Sequence, residues 1–324
     1  MAESTPTTSP PEFVLNPAAC SATVGEAAHA NCAHEQYRAA LQAGAVPSRA
    51  VQHARAVLDR IDMPRTRWST ATALIETCVA NPAKRPQMNA LRVPRTASTT
   101  FLHAMSHACN QSQARPFWLH NAPPSDSCTT LSTATIREPC GRFESTYRGL
   151  LGAYDWRRRD TACARAPGHC KAHWVHTANS VDEFVYVAAT HWTEIMTGGE
   201  ALSLSTRSPR PGFGKHAILA VPQAVYVGNY TWTICDLESE LPPIFDGLGC
   251  RGEYDVDHLM ADSTRKDPLN ASKVQEASQW KLSTNGCRLV RQLYLQDTRL
   301  YESTCTGRSG YRHRSRSRSR SRSR

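Results

Sequence analysis

Two short segments hold the residue types that a bound anion needs. The first is Val93-Pro94-Arg95-Thr96-Ala97-Ser98-Thr99-Thr100-Phe101, which leads into a run with Phe101, Met105 and Ala108 on one helical face. A helix start leaves backbone N–H groups without intrahelical acceptors, and these attract negative charge. The hydroxyls of Ser98, Thr99 and Thr100 and the fixed charge of Arg95 complete a cradle. The paired glycines and lysine of a Walker A loop are absent. The second segment is Thr135-Ile136-Arg137-Glu138-Pro139-Cys140-Gly141-Arg142-Phe143-Glu144-Ser145-Thr146-Tyr147. Pro139 suits the first turn of a helix, where its missing N–H costs nothing. Arg137 sits at the end of the preceding strand, and Ser145 lies two helical turns on. An arginine fork and a hydroxyl can grip a terminal phosphate. Each segment alone is also what an ordinary strand-to-helix turn looks like.

Histidine is the side chain whose ordinary pKa suits it to act as a base near neutral pH. His120, in Phe117-Trp118-Leu119-His120-Asn121, lies between the two segments at the end of an apolar run and is the first candidate; His191, beside Trp192, is the second. His103 and His107 stand four apart on the helix after the first segment. Without an acidic partner they read as a solvated face, and no Cys/His group has zinc-finger spacing, so no metal is expected.

The elements that must position these residues alternate along the chain. The apolar run Met88–Val93 precedes the helical pattern of residues 99–110, Leu131–Ile136 precedes residues 140–151, and Ala224–Gly228 precedes residues 235–249. Such alternation predicts an α/β fold with a parallel sheet covered on both faces. The apolar stretch Ala217–Gly228, broken by Pro222 and Gln223, reads as a buried strand pair and is too short to span a bilayer. Residues 25–84 read as a helical stem or accessory layer, with helices over 50–61 and 71–79. Residues 1–24, rich in Pro, Ser and Thr at their start, read as disordered, as does the Arg-Ser tail at 306–324.

The two segments, in this order and about 40 residues apart, resemble the sulfotransferases that use 3′-phosphoadenylyl sulfate, and most closely the Golgi carbohydrate sulfotransferases of the chondroitin and dermatan type. In that superfamily a loop of the form P-K-x-x-x-T binds the 5′-phosphosulfate, and a later R-D/E-P-x-x-R-F/L-x-S-x-Y/F segment binds the 3′-phosphate. Ser180–Val185 ahead of His191-Trp192, Val225–Thr231, and Leu293–Tyr301 with Tyr294 and Asp297 are similar to further family stretches, so the resemblance covers residues 88–303. It implies a P-loop-like three-layer sandwich over 85–305, with no metal. Arg95, Thr96, Ala97, Ser98, Thr99 and Thr100 would hold the 5′-phosphosulfate, and Arg137 and Ser145 the 3′-phosphate. Arg95 and His120 would be catalytic, and a glycan the acceptor. Arg95 replaces the family's loop lysine, a planar fork in place of a compact ammonium; Ala97 replaces its loop glycine. A relative impaired in catalysis is the reading this departure leaves open. One nucleotide bridging both segments requires them at neighbouring strand ends of one sheet.

Charge separates this reading from others. The chain of 324 residues carries a net +10, but residues 301–324 hold eight arginines against one acid, Glu302, so the other 300 residues carry only +3. General attraction for polyanions therefore resides in the tail. A nucleic-acid interaction protein is the rival from another class, although the rest of the chain shows no RNA-recognition aromatics. A P-loop nucleotide kinase lacks its lysine. Twelve cysteines, with pairs close in sequence such as Cys109/Cys128, Cys163/Cys170, Cys235/Cys250 and Cys287/Cys305, are many for a reducing compartment. With sequons at Asn110, Asn229 and Asn270, they favour a secretory lumen. The first residues show no basic or apolar signal region, so membrane association would need an N-terminal anchor not seen here. Arg157, Arg158, Arg159, Lys171 and Arg207 fall in segments 153–180 and 197–216, where acceptor contacts are expected.

Overall fold

The computed structural model describes residues 11–16, 19, 26–49, 51–52, 56, 87–109, 114–117, 130–153, 178–192, 195, 220–227, 231–250, 252, 255 and 280–306. Among them run four strands, β1 (Gln87–Leu91), β2 (Ala114–Phe117), β3 (Thr130–Thr135) and β4 (Thr231–Ile234). Eight helices accompany them: α1 (Glu26–Gln42), α2 (Ser98–Ala108), α3 (Pro139–Ala153), α4 (Val181–Thr190), α5 (Gln223–Val227), α6 (Leu237–Leu248), α7 (Thr284–Leu293) and α8 (Leu295–Thr304). The strands form one sheet in the order β2-β1-β3-β4, every neighbour parallel, with Leu91 opposite Phe117 on one side and Ala134 on the other. From β1 the chain goes outward to β2, then returns to place β3 on the other flank of β1. The direction of winding thus reverses between β1 and β3, which opens a crevice at their carboxyl ends.

Side chains alternate across each strand, so the sheet buries both faces. Met88 and Ala90 pack with Phe101, Ala104, Met105 and Ala108 of α2, a set spaced for one helical face, and with Leu241, Ile244, Phe245 and Leu248 of α6. Leu91, Val93, Ala134 and Ile136 join the larger core with Phe143, Tyr147 and Leu150 of α3 and with α4, α7 and α8. From Phe184 to Ala189 helix α4 is apolar around its circumference because it lies inside this core, and Ser180 caps its start by accepting the Glu183 N–H at 3.2 Å. The expected α/β class is what the chain forms.

Two expectations need correction. Residues 223–227 form a helix, and the strand of that region is Thr231–Ile234. The cause is Asp297, whose carboxylate accepts the N–H groups of Gln223 and Ala224, both at 2.9 Å, and so caps a helix that local propensity would make a strand. Residues 11–16, expected to be disordered, are tied down: Phe13 N–H donates to Val46 O, Val46 N–H donates to Pro11 O, and the Phe13 ring meets Tyr37 and Tyr186. Among the described residues, disulfides join Cys109 to Cys250, Cys140 to Cys287 and Cys235 to Cys305. Helix α1 contributes Tyr37 and Ala40 to the larger core, where the Tyr186 hydroxyl donates to Ala45 O at 2.9 Å. The helix expected at 71–79, residues 154–177 of the acceptor segment 153–180, all of 197–216 and residues 307–324 of the Arg-Ser tail lie outside the described residues, as does most of the helix expected at 50–61.

Candidate anion-binding site

The first segment leaves β1 and turns sharply into α2. Arg95 and Ala97 both have positive φ, 65° and 61°. The left-handed conformation is costly for residues with a Cβ, and alternating it with the right-handed one turns successive N–H groups toward one concavity. Helix α2 makes its first bond from Phe101 N–H to Ala97 O, so the N–H groups of Ser98, Thr99 and Thr100 precede the ladder. The hydroxyls behave differently from expectation. Thr96 Oγ1 donates to Val93 O at 2.9 Å and Ser98 Oγ donates to the same oxygen at 2.7 Å; both residues are buried. A hydroxyl has one proton, and these two are committed to shaping the loop. Thr100 is buried as well, whereas Thr99 is exposed. What the segment offers an anion is therefore backbone N–H and the Thr99 hydroxyl.

The second segment leaves β3, the neighbouring strand. Pro139 opens α3 as expected, and Glu138 caps the helix by accepting Gly141 N–H at 2.8 Å. The Arg137 guanidinium lies over Gly141, where an added Cβ would stand 3.4 Å from Nε. Two turns further, the Arg95 guanidinium lies over Gly149, where a Cβ would fall 1.4 Å from Nη2. Ser145 stands midway. Gly141, Ser145 and Gly149 are spaced by four, so they form one face of α3 with an arginine at each end. The structure thus brings Arg95, Arg137 and Ser145 together along a single helix face. Arg137 is exposed, yet loss of part of its water and, next, the neighbouring Arg148 push its pKa below the usual arginine value, with Glu144 and Glu138 opposing. An anion would relieve this crowding of cations.

A buried network that sequence reasoning missed locks the two segments together. Arg142, 2% exposed, donates from Nε to Pro94 O at 3.2 Å and from Nη2 to Val221 O at 2.7 Å, and its Nη1 lies 3.5 Å from Asp297 Oδ2. Gln223 reads the backbone of Arg137 on both sides, accepting its N–H at 3.0 Å and donating to its carbonyl at 2.8 Å. The Thr96 and Thr135 hydroxyls meet at 2.8 Å, joining the ends of the two strands directly. Burial raises the Asp297 carboxyl, while Arg142 and the two backbone N–H groups draw it down. Arg142 and Asp297 were visible as letters of two separate motifs; only the fold shows that they are partners.

Of the histidines, His120 lies outside the described residues. His191 ends α4, and its neighbour Trp192 packs edge-on against Tyr294 at 5.0 Å, a packing position. His103 and His107 are exposed on α2, as expected of a solvated face. Glu138, Cys140 and Cys287 have metal-like proximity, but the two sulfurs are bonded to each other and offer no thiolate. No protein-family model, no curated protein and no solved structure matches this chain.

Proposed function

We propose that the chain is a sulfotransferase, built on a P-loop-like three-layer sandwich, that moves a sulfuryl group from 3′-phosphoadenylyl sulfate to a hydroxyl of a carbohydrate. One observation carries the reading: two anion-suited loops leave the carboxyl ends of adjacent strands at the reversal of winding, and their arginines share one face of α3 with Ser145 between them. Ligands of α/β sheets bind at such a point. A nucleotide with phosphate at both ends of its ribose asks for two separated anion sites.

In this reading Arg137 and the Ser145 hydroxyl hold the 3′-phosphate and fix the donor's position. The N–H groups of residues 98–100 with Thr99 hold the 5′-phosphosulfate. The acceptor oxygen attacks sulfur in line, its proton passes to the base, for which His120 is the candidate, and the bond from sulfur to the 5′-phosphate oxygen breaks. Arg95 stabilises charge on the departing phosphate; losing such a donor costs about 10²–10³ in rate. The disulfides support an oxidising secretory compartment, where glycan acceptors are made.

The test is thermal stabilisation by 3′,5′-bisphosphoadenosine, ATP and RNA in parallel. Only the bisphosphate raises the Tm, and Arg137→Ala abolishes that response. An Arg137→Ala protein that still responds in full removes the 3′-phosphate site from this place. Labelled donor offered with a panel of glycans then identifies the acceptor.

A further inference from the structure

Arg148 lies one turn beyond Ser145 and two turns beyond Gly141, on the same face of α3. Side chains on a helix lean toward its amino terminus, which carries the Arg148 guanidinium back toward Ser145 and Gly141. The Arg137 guanidinium already lies over Gly141. The two cations feel each other: after loss of water, Arg148 does most to push the Arg137 pKa down. The carboxylates nearby are committed elsewhere. Glu138 accepts the Gly141 N–H at 2.8 Å with Oε2 and pairs through Oε1 with Arg291 Nη2 of α7 at 3.1 Å. Glu144 accepts the Leu282 N–H with Oε1 and pairs through Oε2 with Lys281 Nζ, both at 3.0 Å. Both acids thus turn to α7 and the residues just before it. Among the described residues, neither the Arg137 nor the Arg148 guanidinium makes a hydrogen bond or an ion pair, although Arg148 and Ser145 are half-buried. An arginine standing alone can rest in water. Two held close on one partly dried face lack the counter-charge that would offset their repulsion.

We infer that Arg148 is the second cation of a clamp, with Arg137 and Ser145, and that this clamp selects a terminal phosphate in its doubly charged form. The inference rests on the reading that this face of α3 holds the nucleotide's 3′-phosphate, and deepens it by naming the residue and the charge state that decide what the site accepts. A phosphate monoester loses its second proton at about pH 6 and then presents three acceptor oxygens and about two negative charges. Two guanidinium forks and one hydroxyl match that set. A singly charged group, whether a protonated phosphate or a sulfate ester, leaves one guanidinium without a counter-charge. A 3′-hydroxyl leaves both.

The experiment titrates the full chain with 3′,5′-bisphosphoadenosine and with adenosine 5′-phosphate by calorimetry, from about pH 5 to about pH 7.5. The ratio of the two affinities cancels the shared 5′-phosphate and reads the 3′ group alone. In the unaltered protein this ratio rises about tenfold over the range, as the 3′-phosphate loses its second proton. Arg148→Gln lowers the ratio about tenfold at the upper pH and flattens its rise, while affinity for adenosine 5′-phosphate stays the same. Arg148→Lys keeps the charge and retains most of the rise. The other charges that reach Arg137 are those of Glu144, Glu138 and Arg142, with Lys281 and Arg291 paired to the two acids, and no histidine is among them. All of these are common to the variants, so a difference in slope belongs to Arg148. Arg148 has no partner to lose, so Arg148→Gln leaves the Tm without ligand unchanged. A ratio and slope unaltered in Arg148→Gln, with the ratio abolished in Arg137→Ala, overturn the inference and leave the 3′-phosphate site in place. So does an Arg148→Lys protein as flat as Arg148→Gln, since charge would then not be what the site reads. A ratio near one at every pH in the unaltered protein removes the 3′-phosphate reading and the inference with it.

Discussion

Gly149 is the residue on which the placement of Arg95 turns. It lies inside α3 with helical backbone, so alanine there gains helix propensity of about 0.5–1 kcal/mol. The new methyl, however, would fall 1.4 Å from Arg95 Nη2 and must displace the guanidinium. Gly149→Ala is therefore expected to keep or raise the Tm while slowing the proposed sulfuryl transfer about 100-fold, as far as Arg95→Ala does. Its response to 3′,5′-bisphosphoadenosine is retained, because Arg137 is untouched. Gly141→Ala is the control: its methyl meets Arg137 Nε at 3.4 Å, an ordinary contact, and activity holds. Unchanged transfer in Gly149→Ala would show that Arg95 does not act from where it lies. This scale also marks a limit of the sequence. That residues 95–100 form an anion-suited turn was legible from their types. Which hydroxyls face outward was not, because Val93 O takes two of them and its position depends on the left-handed turns at Arg95 and Ala97.

Between elements, Arg142 and Asp297 hold α3, α5, α8 and the loop at Pro94 in one arrangement. Both are nearly inaccessible, so removing one partner strands a charge in the core. Arg142→Met is expected to lose about 3–5 kcal/mol of stability in urea denaturation. Arg142→Lys recovers only part, since a lysine cannot reach three acceptors with a planar fork. A loss below about 1 kcal/mol in Arg142→Met would mean that Asp297 is held well enough by its two N–H donors alone. A second junction carries a pH signature. Asp182 accepts the N–H and hydroxyl of Ser283 at the start of α7, and burial, only partly offset by those bonds, raises its carboxyl above the usual value. The folded state then binds protons more tightly than the unfolded one. Stability from this group is greatest at low pH and falls as pH rises from about 4 through the raised value. Asp182→Asn keeps an acceptor for Ser283 and flattens that slope in a series of Tm measurements from pH 3.5 to 7; an unchanged slope would assign it to other carboxyls. Strands β1 and β3 and helices α2 and α3 were legible because their pattern is local. Helix α5 was not, because the carboxylate that caps it comes from Asp297, 74 residues beyond Gln223.

At the scale of the molecule, the disulfides divide labour between the two faces of the sheet. Cys109–Cys250 joins the ends of α2 and α6 on one face, across 141 residues; Cys140–Cys287 joins the first turn of α3 to α7 on the other, across 147. Partners so distant leave no mark in local spacing. In the loop-entropy account a closure of this length stabilises by about 4–5 kcal/mol, and nearly equal lengths imply nearly equal effects on unfolding. Their consequences for binding should differ. Cys140 is three residues from Arg137 and five before Ser145, so its bond fixes the helix start that carries Arg137 and Ser145, the proposed 3′-phosphate ligands. The pair Cys140→Ala and Cys287→Ala is expected to lower the Tm and also to weaken the response to 3′,5′-bisphosphoadenosine by about tenfold or more in the concentration required. The pair Cys109→Ala and Cys250→Ala is expected to lower the Tm comparably and leave that concentration unchanged, because these cysteines sit at the C-terminal ends of α2 and α6, each a full helix length from the strand ends that carry the two segments. Equal weakening by both pairs would mean that the site depends on global stability, and that the bond beside Arg137 has no local part in holding it.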